Sequence, residues 1–169
     1  MELSLTSVVL ATSLDKSGID FVVYDDEDII EKFKDKLERE IEFGIRYVCI
    51  STTFFWDMKH LNRVIKFFHD RDSNIKIILG GQGLMVWGDS AYEKLENVFC
   101  FCYGDIDYFG EYLTKLLNSE IPNDFKLKIS KNGRSFYTVT KIIDDLDSLF
   151  LPDWGLLRKY DFNDNYYAT

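Results

Sequence analysis

The chain has 169 residues, enough for one ordinary domain with a real core and a small appendage. Its composition, 46% hydrophobic and 29% charged, excludes a disordered chain. A net charge of −9 argues against a nucleic-acid surface or an anionic membrane as partner, and no apolar run approaches the ~20 residues of a membrane span.

In chain order, residues 3–14 place Leu3, Val9, Leu10 and Leu14 at helical spacing, with Gly18 as a stop. Residues 19–24, IDFVVY, read as a short buried strand. The acidic run 25–28 opens a second helix, where negative charge meets the positive end of the dipole. Ile29, Ile30, Phe33, Leu37 and Ile41 form its inner face, and it runs to about Phe43 before Gly44. YVCIS at 47–51 is a second strand, and 60–69 a helix with Leu61, Val64, Ile65 and Phe68 inward. IKIIL at 75–79 is a third strand, 92–95 a short helix, 98–103 a fourth strand and 108–117 an amphipathic helix.

Strands and helices alternating in this way predict a parallel sheet wrapped by helices, with right-handed crossovers. The pattern then changes. Residues 125–130 and 134–140 flank Lys131-Asn132-Gly133, a strong hairpin signal, and the tail at 144–160 carries apolar residues suited to a crossing segment. The expected fold is α/β: a three-layer, Rossmann-like (flavodoxin-like), mostly parallel sheet with a C-terminal β-hairpin and extended tail. The expected division is 1–120 for the Rossmann-like domain and 121–169 for the hairpin and linker.

The run IKIILGGQG carries the main functional signal. A nearly continuous apolar strand ends in Gly80 and Gly81, then Gln82 and Gly83. Glycines at the carboxyl end of such a strand let a ligand approach the backbone, and that edge is where open parallel sheets bind ligands. The spacing is neither a phosphate loop, which needs Lys-Ser/Thr, nor the dinucleotide fingerprint. Ser51-Thr52-Thr53 follows the second strand, where a receiver domain would carry an acceptor aspartate. That hydroxyl run either hydrogen-bonds a ligand or caps the helix after it. The 16% aromatic content means bulky core packing or a flat-ligand pocket.

Other chemistries lack their parts. His60 and His69 lie nine apart on a helix, on roughly opposite sides, with no partner placed to complete a metal site. Cys100 and Cys102 share one face of a strand but have no second Cys/His pair at zinc-site spacing, and no CxxxCxxC occurs. There is no GxSxG elbow. Asp144, Asp145 and Asp147 read as a solvated turn. Three cysteines without a secretory signal predict reduced thiols in a cytoplasmic protein.

Taken in order, YVCISTT, the helix to Phe68, NIKIILGGQG, VFCFCYGDID with its following helix, the KNGR hairpin and LDSLFLPDWGLL span nearly the whole chain. Together they make it resemble the cobalamin-binding N-terminal domain of cobalamin-dependent radical S-adenosylmethionine enzymes. The resemblance implies that Ser51, Thr52 and Thr53 contact the nucleotide tail or corrin side chains. Gly80 and Gly81 would let the tail pass close to the sheet, with Gln82, Gly104 and Asp105 at the rim. It implies cobalamin as cofactor and a radical S-adenosylmethionine barrel as partner. S-adenosylmethionine and a [4Fe-4S] cluster would belong only to that barrel.

Three departures qualify the resemblance. DxHxxG is missing, so no histidine of that motif ligates cobalt; the family's usual first strand is missing, which would leave a gap in the sheet or require a substitute; and the chain stops before any CxxxCxxC. The expectation is therefore a fragment, an accessory domain that is not catalytic alone, from an enzyme that methylates or otherwise modifies a peptide or natural product. The alternative is a domain of the same fold that binds no cofactor and serves as a scaffold or interaction module. A flavodoxin- or receiver-like signalling domain has less support, because neither signature is present.

Overall fold

The structure is a computed structural model that describes residues 5–24, 26, 28–55, 57–105, 107–145, 147 and 151–156. The chain forms two compact units, each assembled from separated stretches. One comprises residues 27–104 and 124–140, the other 1–26, 105–123 and 141–169.

The first unit holds the sheet. Its strands are β1 (Tyr47–Ser51), β2 (Lys76–Gly80), β3 (Val98–Gly104), β4 (Lys126–Ile129) and β5 (Ser135–Lys141), in the order β1-β2-β3-β5-β4. β1 and β2 pair in parallel, as do β2 and β3, whereas β4 and β5 form the antiparallel hairpin expected around Asn132-Gly133. This is the expected α/β class, a mostly parallel five-stranded sheet with helices, as in a Rossmann-like three-layer fold. β1 lies directly beside β2, in register from Tyr47 opposite Lys76 to Ser51 opposite Gly80, so these strands are contiguous without a gap.

β2 is the apolar centre, with Ile77, Ile78 and Leu79 all fully buried, as a strand covered on both faces requires. Ile77 pairs with Val98 and Ile78 with Cys100, which leaves Phe99 as an extra residue on β3. Such a bulge re-aims a side chain, and the Phe99 ring meets Tyr137 of β5 at 5.3 Å. The aromatic content serves packing here. Tyr92 stacks on Phe136 at 4.9 Å and meets Phe101 edge-on at 5.0 Å.

Helix α2 (Ile29–Glu42) buries Phe33 and Leu37, and α3 (Met58–Arg71) buries Leu61, Val64, Ile65, Phe67 and Phe68. These are the helical stripes that periodicity predicts. The two helices pack together, with Arg63 paired to Glu31 and the Arg71 guanidinium donating to Glu38 from Nε (3.1 Å) and Nη2 (2.6 Å). Two short helices, α4 (Gln82–Trp87) and α5 (Asp89–Lys94), connect β2 to β3. Asn62 holds the end of that connection: its amide donates to the Lys94 carbonyl (2.7 Å) and accepts from the Glu96 N–H (3.1 Å). Arg134 donates to the carbonyls of Glu93 (2.6 Å) and Leu95 (3.3 Å), satisfying groups that α5 leaves open at its C-terminus.

The second unit is built on α1 (Leu5–Lys16) and α6 (Phe109–Leu117). Ser13 joins them: its hydroxyl donates to the Asp107 carbonyl (2.7 Å) and accepts from the Gly110 N–H (2.9 Å). Residues 19–24 correct the sequence reading, because they form no strand. Phe21 and Val23 pack against Ala11 and Leu156 while Val22 stays exposed, so the alternation reflects one-sided packing without strand pairing. In the tail, the Asp153 N–H donates to buried Thr12 (2.9 Å) and Leu156 is buried. Residues 146, 148–150 and 157–160 of the expected crossing segment lie outside the described residues. Among the described residues no helix is long and apolar enough to cross a membrane.

Candidate functional site

The parallel register sets Ser51, the last residue of β1, beside Gly80, the last residue of β2. The STT and GGQG turns that follow are therefore neighbours at the carboxyl edge of the sheet, where α/β folds bind ligands. Six of the eight residues singled out from the sequence meet here: Ser51, Thr52, Thr53, Gly80, Gly81 and Gln82.

The turns interlock. The Ser51 hydroxyl accepts from the Thr53 N–H (3.4 Å) and donates to the Thr53 hydroxyl (3.2 Å). Thr53 Oγ1 accepts from the Gln82 N–H (3.3 Å), and Thr52 Oγ1, on a residue only 1% exposed, accepts from the Leu84 N–H (3.2 Å). The two threonines thus cap the first turn of α4, whose own N-cap residue, Gly81, has no side chain to do so. Capping by this hydroxyl run is real but divided: Ser51 caps the single 3-10 turn Thr52–Phe54 that follows it directly, and the two threonines cap the helix after β2. The next α-helix, α3, takes its cap from Asp57, which accepts from the Lys59 N–H at 2.9 Å.

The glycines separate into two kinds. Gly81 has φ +98° and ψ 175°, a conformation open essentially only to glycine, and a Cβ there would lie 2.7 Å from Thr53 Oγ1. A Cβ on Gly83 would lie 2.6 Å from the Thr52 carbonyl oxygen. The fold itself demands both. Gly80 differs: its φ is not positive, and a Cβ would meet only ordinary contacts, 3.7 Å from the Cys102 carbonyl oxygen and 3.9 Å from Cys102 Cβ. Nothing in the protein's own packing excludes a side chain at this position. Gly80 is half-buried and Gln82 exposed, so the edge is open to solvent there.

Gly104 ends β3, exposed and with φ +91°. Asp105 belongs to the other unit and has a structural task in it. Its N–H donates to the Lys141 carbonyl (2.9 Å), and its carboxylate accepts from the Ile143 N–H (2.8 Å), which fixes the chain leaving β5. The nearby Asp107 carboxyl is pushed up from the ordinary range, chiefly by burial.

Two thiols of the sheet are held protonated. Cys49 is pushed up by burial and by Cys102, and Cys100 by its contact with Cys102 (Sγ–Sγ 3.9 Å) and by burial. Raised thiols are poor nucleophiles and poor metal ligands, and no group of three or more His, Cys, Asp or Glu suited to a metal occurs among the described residues. Tyr103 is pushed up by burial and by its hydrogen bond to Tyr92 (2.6 Å).

Three participants escaped the sequence reading. Gly83 is a packing glycine, α4 begins within the glycine run, and Cys102 flanks Gly80. The apolar turn Leu84-Met85-Val86-Trp87 offers no helical periodicity from which to read α4. The strand alternation that puts Cys100 and Cys102 on one face was legible, but not that the neighbouring residue would be Gly80. Comparison of the chain with protein-family models, curated proteins and solved structures gives no match.

For a cobalamin tail, the fit is divided between these residues. Thr52, Thr53 and Gly81 are engaged with one another and with α4. Ser51 is likewise held by Thr53, which leaves Gly80 and Gln82 in reach of the edge, and Gly80 supplies a backbone that a ligand can approach.

Proposed function

We propose that this chain is a cobalamin-binding accessory domain of a radical S-adenosylmethionine enzyme, one that modifies a peptide or natural product. The observation that carries the reading is Gly80: a glycine at the carboxyl end of the buried strand β2 that neither backbone conformation nor neighbouring atoms require. A close-passing ligand gives it a reason. The ordered motifs of the sequence make the corrinoid nucleotide tail the ligand of choice.

In this reading Gln82 offers a polar group beside the bare backbone of Gly80, while Ser51, Thr52, Thr53 and Gly81 position the edge by locking β1 to α4. When bound, cobalamin would supply the methyl-carrying chemistry, and the protein binding and orientation. The cluster and S-adenosylmethionine would reside in the barrel partner. The three free thiols suit a reducing, cytoplasmic compartment.

One observation favours a second reading, a cofactor-free scaffold of the same fold. The STT hydroxyls and two of the run's glycines have complete structural explanations. Mixing the chain with hydroxocobalamin, desalting and recording the visible spectrum separates the two. Corrin absorbance that travels with the protein supports the cofactor reading. A clean protein spectrum at stoichiometric loading supports the scaffold.

A further inference from the structure

Apart from Arg134, which holds the end of α5, the hairpin has a charge pattern that the fold does not use. Residues 126–140 hold four basic residues and no acidic one, in a chain of net charge −9. β4 is the last strand in the sheet order, and all its residues are exposed. Its side chains alternate: Lys126 and Lys128 stand opposite Thr138 and Phe136, and Leu127 and Ile129 opposite Tyr137 and Ser135. One face of the strand thus presents two ammonium groups and the other two large apolar groups, Leu127 59% and Ile129 72% exposed. Half-buried Tyr137, in ring contact with Phe99, continues the apolar side. Neither lysine forms an ion pair among the described residues.

Lysines on an edge strand discourage pairing with another such edge. Here they act against a second copy, whose β4 would set lysine against lysine. A strand with carboxylates at alternate positions is attracted instead, and its intervening apolar side chains would cover Leu127 and Ile129. We propose that the outer edge of β4 docks an extended segment of a partner protein in which acidic and apolar residues alternate. Main-chain hydrogen bonds along the open edge supply affinity, and the alternation supplies register and selectivity. This surface is independent of the Gly80 edge.

The test titrates the full chain into a fluorescein-labelled, end-blocked eight-residue peptide of alternating glutamate and valine, followed by anisotropy. Saturable binding that weakens with added salt is expected. The double variant Lys126→Glu/Lys128→Glu should lose about tenfold or more in affinity, while Lys59→Glu/Lys66→Glu on α3 should change it less than about twofold. Leu127→Thr/Ile129→Thr should also lose binding, with an unchanged circular dichroism spectrum for each variant. The proposal is overturned by no saturation up to about 1 mM. It is equally overturned if a block peptide of four glutamates then four valines binds as well, if an eight-nucleotide oligouridylate displaces the peptide equally, or if reversing the β4 lysines has no effect.

Discussion

The backbone of Gly81 turns where only glycine turns freely, and Gly83 carries its hydrogen against the Thr52 carbonyl. Adding a methyl group at either place forces the STT and GGQG turns apart. Gly81→Ala and Gly83→Ala should each lower stability by about 1–3 kcal/mol, measured by urea unfolding. Gly80→Ala should be neutral or gain up to about 1 kcal/mol, because alanine loses less chain entropy than glycine in a strand. If Gly80→Ala proved as damaging as the other two, packing would explain all three glycines and Gly80 would lose its special status. The motif GGQG was legible in the sequence as a place of close backbone approach. Spacing alone could not tell whether a ligand or the protein's own threonines make that approach; the structure sets Gly81 and Gly83 against the threonines and leaves Gly80 without such a contact.

The raised thiols of Cys49 and Cys100 give a pH signature. A thiol whose folded-state pKa is raised stabilises the protein below its unfolded value, ~8.5, and that stability is lost as pH rises further. Cys49 and Cys100 both shift in this direction. The melting temperature of the native chain should therefore fall more steeply between pH 8 and 10 than that of Cys100→Ala, so that the gap between them narrows on the alkaline side. Parallel curves would show that the Cys100 thiol ionises as readily in the folded state as in the unfolded one.

Among the elements, the α1–α6 contact depends on a missing side chain. A Cβ on Gly110 would lie 2.3 Å from the Ser13 carbonyl oxygen and 2.2 Å from Ser17 Oγ. Gly110→Ala should cost about 1–3 kcal/mol. Its effect should be local, raising amide exchange in α1 and α6 and leaving β2 protected. Uniform loss of protection would mean that the two units unfold together. The long amphipathic helices were legible because their apolar stripes fix both type and orientation. Residues 19–24 were misread because alternation records which side is buried and not whether a neighbouring strand is present. Helix α4 went unseen because its cap comes from Thr52 and Thr53, about thirty positions earlier in the chain, a distance no local pattern spans.

For the whole molecule, the order β1-β2-β3 with β1 at one end shows no gap of the kind the sequence led one to expect. A strand missing from the middle of a sheet would leave unpaired backbone groups on both sides, whereas β1 pairs directly with β2. The hairpin was legible from Asn132-Gly133, but its place beside β3 was not, since sheet order depends on contacts far apart in sequence. The LPDW segment also finds a structural role: Asp153 is held by Thr12, and Leu156 packs on Ala11.

The cobalamin proposal rests most heavily on one residue, and one comparison tests it. The native chain and Gly80→Ala, matched for stability by urea unfolding, are titrated with hydroxocobalamin and the bound corrinoid is measured by visible absorbance after desalting. The account predicts stoichiometric retention by the native chain and loss of about tenfold or more in affinity for the folded variant. No retention by the native chain, or equal retention by both proteins, would contradict it.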